Sequence, residues 1–194
     1  MFAIDIEGRG PSAVYNGIVS IGVCVGDSSG TVLEKRRFDL QPYHIQFMDP
    51  KCKAEFWDKH PSLLETLERD AVLPDIGIRN FRQYLDECEQ KYGELYILCD
   101  NPGYDFHFVN YYLDREGLLP LCMRKTLESF EFRALHDADS YARGYCKQLP
   151  NAPWVSNIEL VKRFNLQSIS ETTHMPEDDA EQIFRVHSGL VYTK

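Results

Sequence analysis

Apolar and polar residues alternate at the start of the chain, in Phe2-Ala3-Ile4-Asp5-Ile6-Glu7, and this alternation predicts a strand over residues 2–7. Successive side chains of a strand point to opposite faces, so Ile4 and Ile6 share one face and Asp5 and Glu7 the other. Gly8-Arg9-Gly10-Pro11-Ser12 reads as a turn from its glycine and proline content. The β-branched run from Ile18 to Val25 predicts a core strand. Asp27-Ser28-Ser29-Gly30 predicts a hairpin turn, and residues 31–40 return as a third, alternating strand. Residues 42–61 have no clear period and carry several aromatics, which reads as an ordered loop with short helical turns.

Helical spacing takes over beyond this loop. Ser62-Leu63-Leu64-Glu65 has the form of a capped helix start, with Ser62 as N-cap and Glu65 at the third helical position. Ile78, Phe81, Leu85 and Cys88 recur at helical spacing and predict a helix from about 75 to 92, ended by Gly93. Residues 95–99 read as a buried strand, 100–103 as a turn, and 105–116 as a helix whose aromatic face suits either the core or a dimer interface. Helices are expected at 139–149 and 157–165, and a last one from about 176 to 189. There is no internal repeat, low-complexity tract or linker, so residues 1–194 are expected to form a single α/β domain. Three antiparallel strands followed by helices indicate a mixed sheet.

Composition sharpens this. The chain is 43% apolar and 26% charged, a globular balance, and its 194 residues suffice to bury roughly 70% of the unfolded surface. No apolar run approaches the roughly 20 residues of a spanning helix. No basic stretch followed by an apolar segment marks the N-terminus as a signal, so an intracellular, cytoplasmic location without membrane contact is expected. Six widely spaced cysteines without a C-x-x-C exclude a zinc ribbon and argue against a disulfide framework; Cys24 and Cys99 read as small core residues. A net charge of −9 argues against a broad basic nucleic-acid surface, but not against an enzyme that meets phosphates through bound cations. Arg9, Lys35-Arg36-Arg37, Lys51, Lys53 and Arg124-Lys125 are the nearby-cation candidates, and each also fits a solvated face.

Asp5 and Glu7 carry the first chemical signal. Two like charges on one strand face repel, and burying them unpaired is costly or forces one to take up a proton. A divalent cation resolves the conflict; a solvated strand edge avoids it. Asp105 opens the helix after the 95–99 strand, where a capping role worth about 0.5–2 kcal/mol would suffice to explain it. Asp178 and Asp179 lie in the first turn of the last helix, just after His174. His174 and Asp179 form H-x-x-x-x-D; His44 and Asp49 repeat that spacing inside the irregular aromatic segment, and His44 reads as a surface or half-buried histidine.

In this order the motifs resemble those of the DEDDh 3′-5′ exonucleases, which share the RNase H-like fold. Asp5-Ile6-Glu7-Gly8-Arg9-Gly10 resembles the first motif, D-x-E-x-x-G, and residues 17–22 the strand that follows it. Asp100-Asn101-Pro102-Gly103-Tyr104-Asp105 is similar to the second motif, and His174 to Asp179 with Ala180 to the third. Phe56-Trp57 and the run from Asp137 to Gly144 are similar to the small bacterial, phage and large-virus exoribonucleases. The resemblance implies a central mixed five-stranded sheet, its first three strands antiparallel, flanked by helices. It implies two Mg²⁺ or Mn²⁺ ions held by Asp5, Glu7, Asp105 and Asp179, with His174 as general base and nucleoside 5′-monophosphates as products.

The same resemblance makes Arg9, Gly10, Trp57 and Asn101 candidate substrate contacts; Trp57 or Phe56 could stack on a base, and Trp57 reads equally as a core aromatic. Asp100 is expected not to be a ligand, and Asp137 and Asp139 to be a strand end and a helix cap. Pro11 stands where many relatives carry an apolar wedge against the terminal base, so a wedge would have to come from elsewhere. Single-stranded nucleic acid is the expected partner, RNA ahead of DNA, because no appended duplex-binding module and little positive charge are present; the protein is expected to be a monomer or homodimer. Two other classes compete. A haloacid-dehalogenase-type phosphatase would need D-x-D running into a helix, whereas here Glu7 is followed by a hairpin. A non-catalytic scaffold of the same fold would be expected to have lost one of the five residues.

Overall fold

The computed structural model describes residues 1–126, 129–145, 159, 162 and 174–192. Strands β1 (Phe2–Gly8), β2 (Ile18–Gly26) and β3 (Val32–Asp39) form an antiparallel meander. Helix α1 (Pro50–Glu55), a 3₁₀ turn (Trp57–Lys59), α2 (Pro61–Arg69) and α3 (Pro74–Tyr92) follow. Strand β4 (Ile97–Cys99) then returns to lie parallel to β1, and helix α4 (Asp105–Arg115) leaves it. A small hairpin of β5 (Met123–Lys125) and β6 (Phe130–Phe132) precedes β7 (Leu135–Asp137), which pairs parallel to β4. Helices α5 (Ala138–Tyr145) and α6 (Pro176–Tyr192) complete the described chain. The sheet order is β3-β2-β1-β4-β7, a mixed five-stranded sheet flanked by helices. Among the described residues no helix is long and apolar enough to cross a membrane.

The period-two pattern of β1 divides the core. Its even residues Phe2, Ile4 and Ile6 pack with Phe81 and Leu85 of α3 and with Phe106, Val109 and Tyr112 of α4. The aromatic face of α4 is therefore core. Its odd residue Ala3 packs with Cys24, Leu98, Ala138, Ala180, Ile183 and Phe184, where small side chains let α6 lie close to the sheet. Gly26 serves the same approach: a Cβ there would lie 2.0 Å from the Phe184 ring.

The basic run on β3 is used up by this packing. Lys35 pairs with Asp178 at 2.6 Å and Glu181 at 2.8 Å, and Arg37 with Glu177 at 3.2 Å, so both hold the acidic start of α6. Arg36 points to the other face, over the rings of Phe38 and Tyr84.

Several boundaries differ from the sequence pattern. Ser62 is not the N-cap of α2: Pro61 occupies the first turn and His60 the cap position, with no side-chain cap bond. Proline's fixed φ starts a helix without needing an N–H partner, and Pro74 does the same for α3. The strand expected at 95–99 is confined to Ile97–Cys99. Of the helix expected at 157–165 only residues 159 and 162 are described, both helical, and the end of that expected at 139–149 falls outside the described residues.

Candidate active site

Pairing between β1 and β4 ends at Ala3↔Leu98, so beyond Ala3 the two parallel strands separate. Such a gap at the carboxyl ends of parallel strands is the usual place for a site in an α/β sheet. The turn after β4 brings α4 into it. The Asn101 carbonyl accepts from the N–H groups of Tyr104 and Asp105, at 2.9 and 2.8 Å. The Asp105 carboxylate in turn accepts from the Asn101 N–H at 3.2 Å, and from the Ile6 N–H and the Cys99 thiol. Asp105 is only 3% exposed, yet these bonds place it beside β1 rather than in a plain cap.

Asp179 arrives from the opposite end of the chain. Gly22 lies across the ladder from Asp5, and the backbone of Pro176 occupies the space a Gly22 side chain would take. The first turn of α6 then closes on the Met175 carbonyl, which accepts from the Asp178 and Asp179 N–H groups at 2.9 and 3.0 Å. His174 precedes it with φ 54°, in the left-handed region, the one non-glycine residue with positive φ among the described residues. One ligand atom each from Glu7, His174 and Asp179 lies within 4.8 Å of the other two.

The electrostatics record the crowding. Burial, then the charges of Asp105, Glu7, Asp100 and Asp179, push the Asp5 carboxyl well above the usual range. Burial and the charges of Asp179 and Asp105 raise Glu7 to about 8. Asp105 also rises to about 8, through burial and Asp100, against the three hydrogen bonds it accepts. Asp179 rises to about 7 through burial, Asp178, Asp100 and Glu177. His174 moves down, through burial and the neighbouring His60. Four carboxyls that resist ionisation beside an imidazole kept neutral form a set of hard oxygen donors suited to divalent cations such as Mg²⁺ or Mn²⁺.

The structure brings Glu7, His174 and Asp179 within ligand distance of one another, with Asp5 and Asp105 near enough to share charge with them, and it gives three of the other candidates protein partners. Trp57 takes a core position: it is 1% exposed, and its ring N–H donates to the Gly8 carbonyl at 3.1 Å beneath the site. Arg9 is not free for substrate, because its buried guanidinium pairs with Glu68 at 2.6 Å and ties the end of β1 to α2. Gly10 is buried, and its carbonyl accepts from the Tyr104 hydroxyl at 3.1 Å. A Cβ on Gly10 would meet Asp49 and Asn16, at a backbone φ of +153°. Asn101 stays exposed on the rim of a cleft of about 490 Å³ lined by Asp100 to Gly103, Asp137 and Asp139. Asp137 ends β7 and caps α5, accepting from the Ser140 N–H at 2.8 Å.

Two further residues lie near His174. Phe56 meets the His174 ring edge-on at 5.1 Å, and His60 lies 5.0 Å from it. Both come from the stretch without period, where nothing in the spacing distinguishes them.

No family model matches the sequence, and no curated protein matches it. Solved structures do match its fold. Exonuclease X in complex with 5′ overhanging duplex DNA is similar over 97% of this chain and 89% of its own, with a TM-score of 0.55 and 17% identity. The nuclease domain of 3′hExo, a DEDDh family member bound to rAMP, covers 96% of this chain and 88% of its own, with a TM-score of 0.67 and 12% identity. E. coli Exonuclease I in complex with a dT13 oligonucleotide covers 94% of this chain with a TM-score of 0.66 and 12% identity; this chain spans 39% of its length. The fold is thus that of the RNase H-like exonucleases.

Proposed function

We propose that the chain is a metal-dependent 3′-5′ exonuclease that shortens single-stranded nucleic acid, RNA ahead of DNA, and releases nucleoside 5′-monophosphates. The observation that carries this is the convergence of carboxylates from β1, α4 and α6 with an imidazole at one crevice, so crowded that Glu7 and Asp105 titrate at about 8. So much like charge is compatible with burial only if protons or cations neutralise it. Asp5, Glu7, Asp105 and Asp179 would hold two Mg²⁺ or Mn²⁺ ions. When bound, the ions supply activation of a water and neutralisation of the charge that builds on the scissile phosphate and the leaving 3′ oxygen.

His174 takes the proton from the attacking water. Its lowered pKa keeps the ring neutral and ready to accept at pH 7. Its ring nitrogen lies within 4.8 Å of carboxylate oxygens of Glu7 and Asp179, beside the groups that would orient that water. Asp100 adds negative field without being a ligand, and Asn101 on the cleft rim contacts substrate. Lys35, Arg37 and Arg9 are engaged in ion pairs, which favours a short single strand over a long duplex. Phe56-Trp57 and the Asp137 to Gly144 run support placement beside the small exoribonucleases, and hence RNA.

Matched 5′-labelled RNA and DNA oligonucleotides, single- and double-stranded, incubated with Mg²⁺ or Mn²⁺, test the proposal. A ladder shortened from the 3′ end is expected, lost in Asp5→Asn. His174→Ala is expected to keep the fold and Mn²⁺ binding while turnover falls roughly 10²–10⁴-fold. Cleavage by Asp5→Asn at the wild-type rate would overturn the site.

A further inference from the structure

His174 reaches the crevice in a backbone conformation that residues other than glycine rarely adopt, and such conformations persist where the surroundings over-determine them. The surroundings here are a corner of aromatic rings between α1 and α2. Phe56, at the end of α1, presents its ring edge-on to His174 at 5.1 Å and 90°. His60, at the cap position of α2, makes no side-chain cap bond; its ring instead lies 4.8 Å from Phe56 and 5.0 Å from His174. Phe56 rests on Trp57 at 4.9 Å and 81°, and Trp57 is fixed by its bond to the carbonyl of Gly8, the residue after Glu7. A continuous path of packed rings therefore links the strand that carries Asp5 and Glu7 to the imidazole. Met175 belongs to the same apolar cluster as Trp57 and Phe56, so the residue after His174 is held by the same wall.

Resting on the reading of His174 as general base, the geometry points to Phe56 and His60 as positioning residues that hold its ring in register with Glu7. Neither is a metal ligand in the set above, and each acts through His174. A general base contributes only when its nitrogen stands within hydrogen-bond reach of the water it deprotonates, and displacement by about an ångström costs up to about 10²-fold. A base carried on a loop needs a wall supplied from elsewhere. The wall in this chain is anchored to β1 itself, so movement of the strand and of the base is shared.

The test uses the full chain and the variants Phe56→Ala, Phe56→Tyr, His60→Ala and His60→Phe. Steady-state rates are measured on a 5′-labelled single strand with Mn²⁺, Mn²⁺ affinity by calorimetry, and His174 ring resonances by NMR, assigned through His174→Ala. Both alanine variants are expected to lower kcat about 10- to 100-fold, with KM and Mn²⁺ affinity within about twofold of wild type. Phe56→Tyr and His60→Phe, which keep a ring in place, are expected to recover to within about threefold. His60→Ala combined with His174→Ala is expected to be no slower than His174→Ala alone, because a residue that acts through another adds nothing once that other is gone. Unchanged kcat in the alanine variants, or a further loss in the double variant, would overturn the inference. A wild-type protein that cleaves no strand refutes the exonuclease reading separately. The NMR measurement then decides positioning: shifted His174 resonances in both alanine variants are expected, and unchanged ones refute it.

Discussion

Gly22 and Pro176 compete for one volume: a Cβ built on Gly22 would lie 1.9 Å from the carbonyl carbon of Pro176. Gly22 stands across the β1–β2 ladder from Asp5, and Pro176 begins the helix that carries Asp179, so this contact sets the separation of the two acids. Gly22→Ala cannot be relieved by rotating a side chain, because backbone meets the new methyl. Urea unfolding is expected to show a loss of about 1–3 kcal/mol, the range for an overpacked core. Mn²⁺ affinity is expected to fall at least about tenfold, as Asp179 moves with α6. Wild-type affinity in that variant would show that the contact does not place Asp179.

The raised carboxyls give the metal-free protein a defined pH dependence. Glu7 and Asp105 titrate at about 8 and Asp179 at about 7 when folded, above the roughly 4 of unfolded acids. The folded state therefore keeps protons that the unfolded state has released, and this stability is present at low pH and lost as pH rises through about 4 to 8. Thermal unfolding with a chelator present is expected to shift downward across that range, and Mn²⁺ to restore the upper end. Metal binding at pH 7 is also expected to release protons, seen as a buffer-dependent heat in calorimetry.

Trp57→Phe separates the two roles open to this ring. The indole N–H is buried on the Gly8 carbonyl, so its loss leaves that carbonyl to the weak Cys52 thiol donor at 3.8 Å and is expected to cost about 1–3 kcal/mol in chemical denaturation. KM for an oligonucleotide is expected to stay within about twofold. A stable variant with a raised KM would restore Trp57 to the substrate.

His187, on α6, sets a separate acid-side limit. It is 2% exposed on α6, packed near His136 and Tyr141, and burial with the charges of His136 and the N-terminus lowers its pKa to about 4. The folded state resists a proton that the unfolded imidazole takes up, so this contribution is present above about 6.5 and lost as pH falls towards about 4. The melting temperature of His187→Leu relative to wild type is expected to rise steadily over that fall. A difference that is constant with pH would remove His187 from the acid response.

The two-faced pattern of β1 was legible in the residues, as were the apolar run of β2, the hairpin after it, the helical period of α3 and the order of Asp5, Glu7, Asp105, His174 and Asp179. Each is a local matter of side-chain period or of chain order. Of β7 only the end, at Asp137, was marked, because three residues are too few to show a period.

Trp57, Arg9, Lys35 and Arg37 look alike in sequence whether they face substrate or protein. What decided them were partners distant along the chain: Gly8 for Trp57, Glu68 for Arg9, and the start of α6 for Lys35 and Arg37. The contacts of Phe56 and His60 with His174 were illegible for the same reason, since that ring lies more than a hundred residues away. Periodicity and order determined which residues could form the site. Only the tertiary structure decided which of them are held in place and which do the holding, because burial, charge and contact are properties of the whole packed chain.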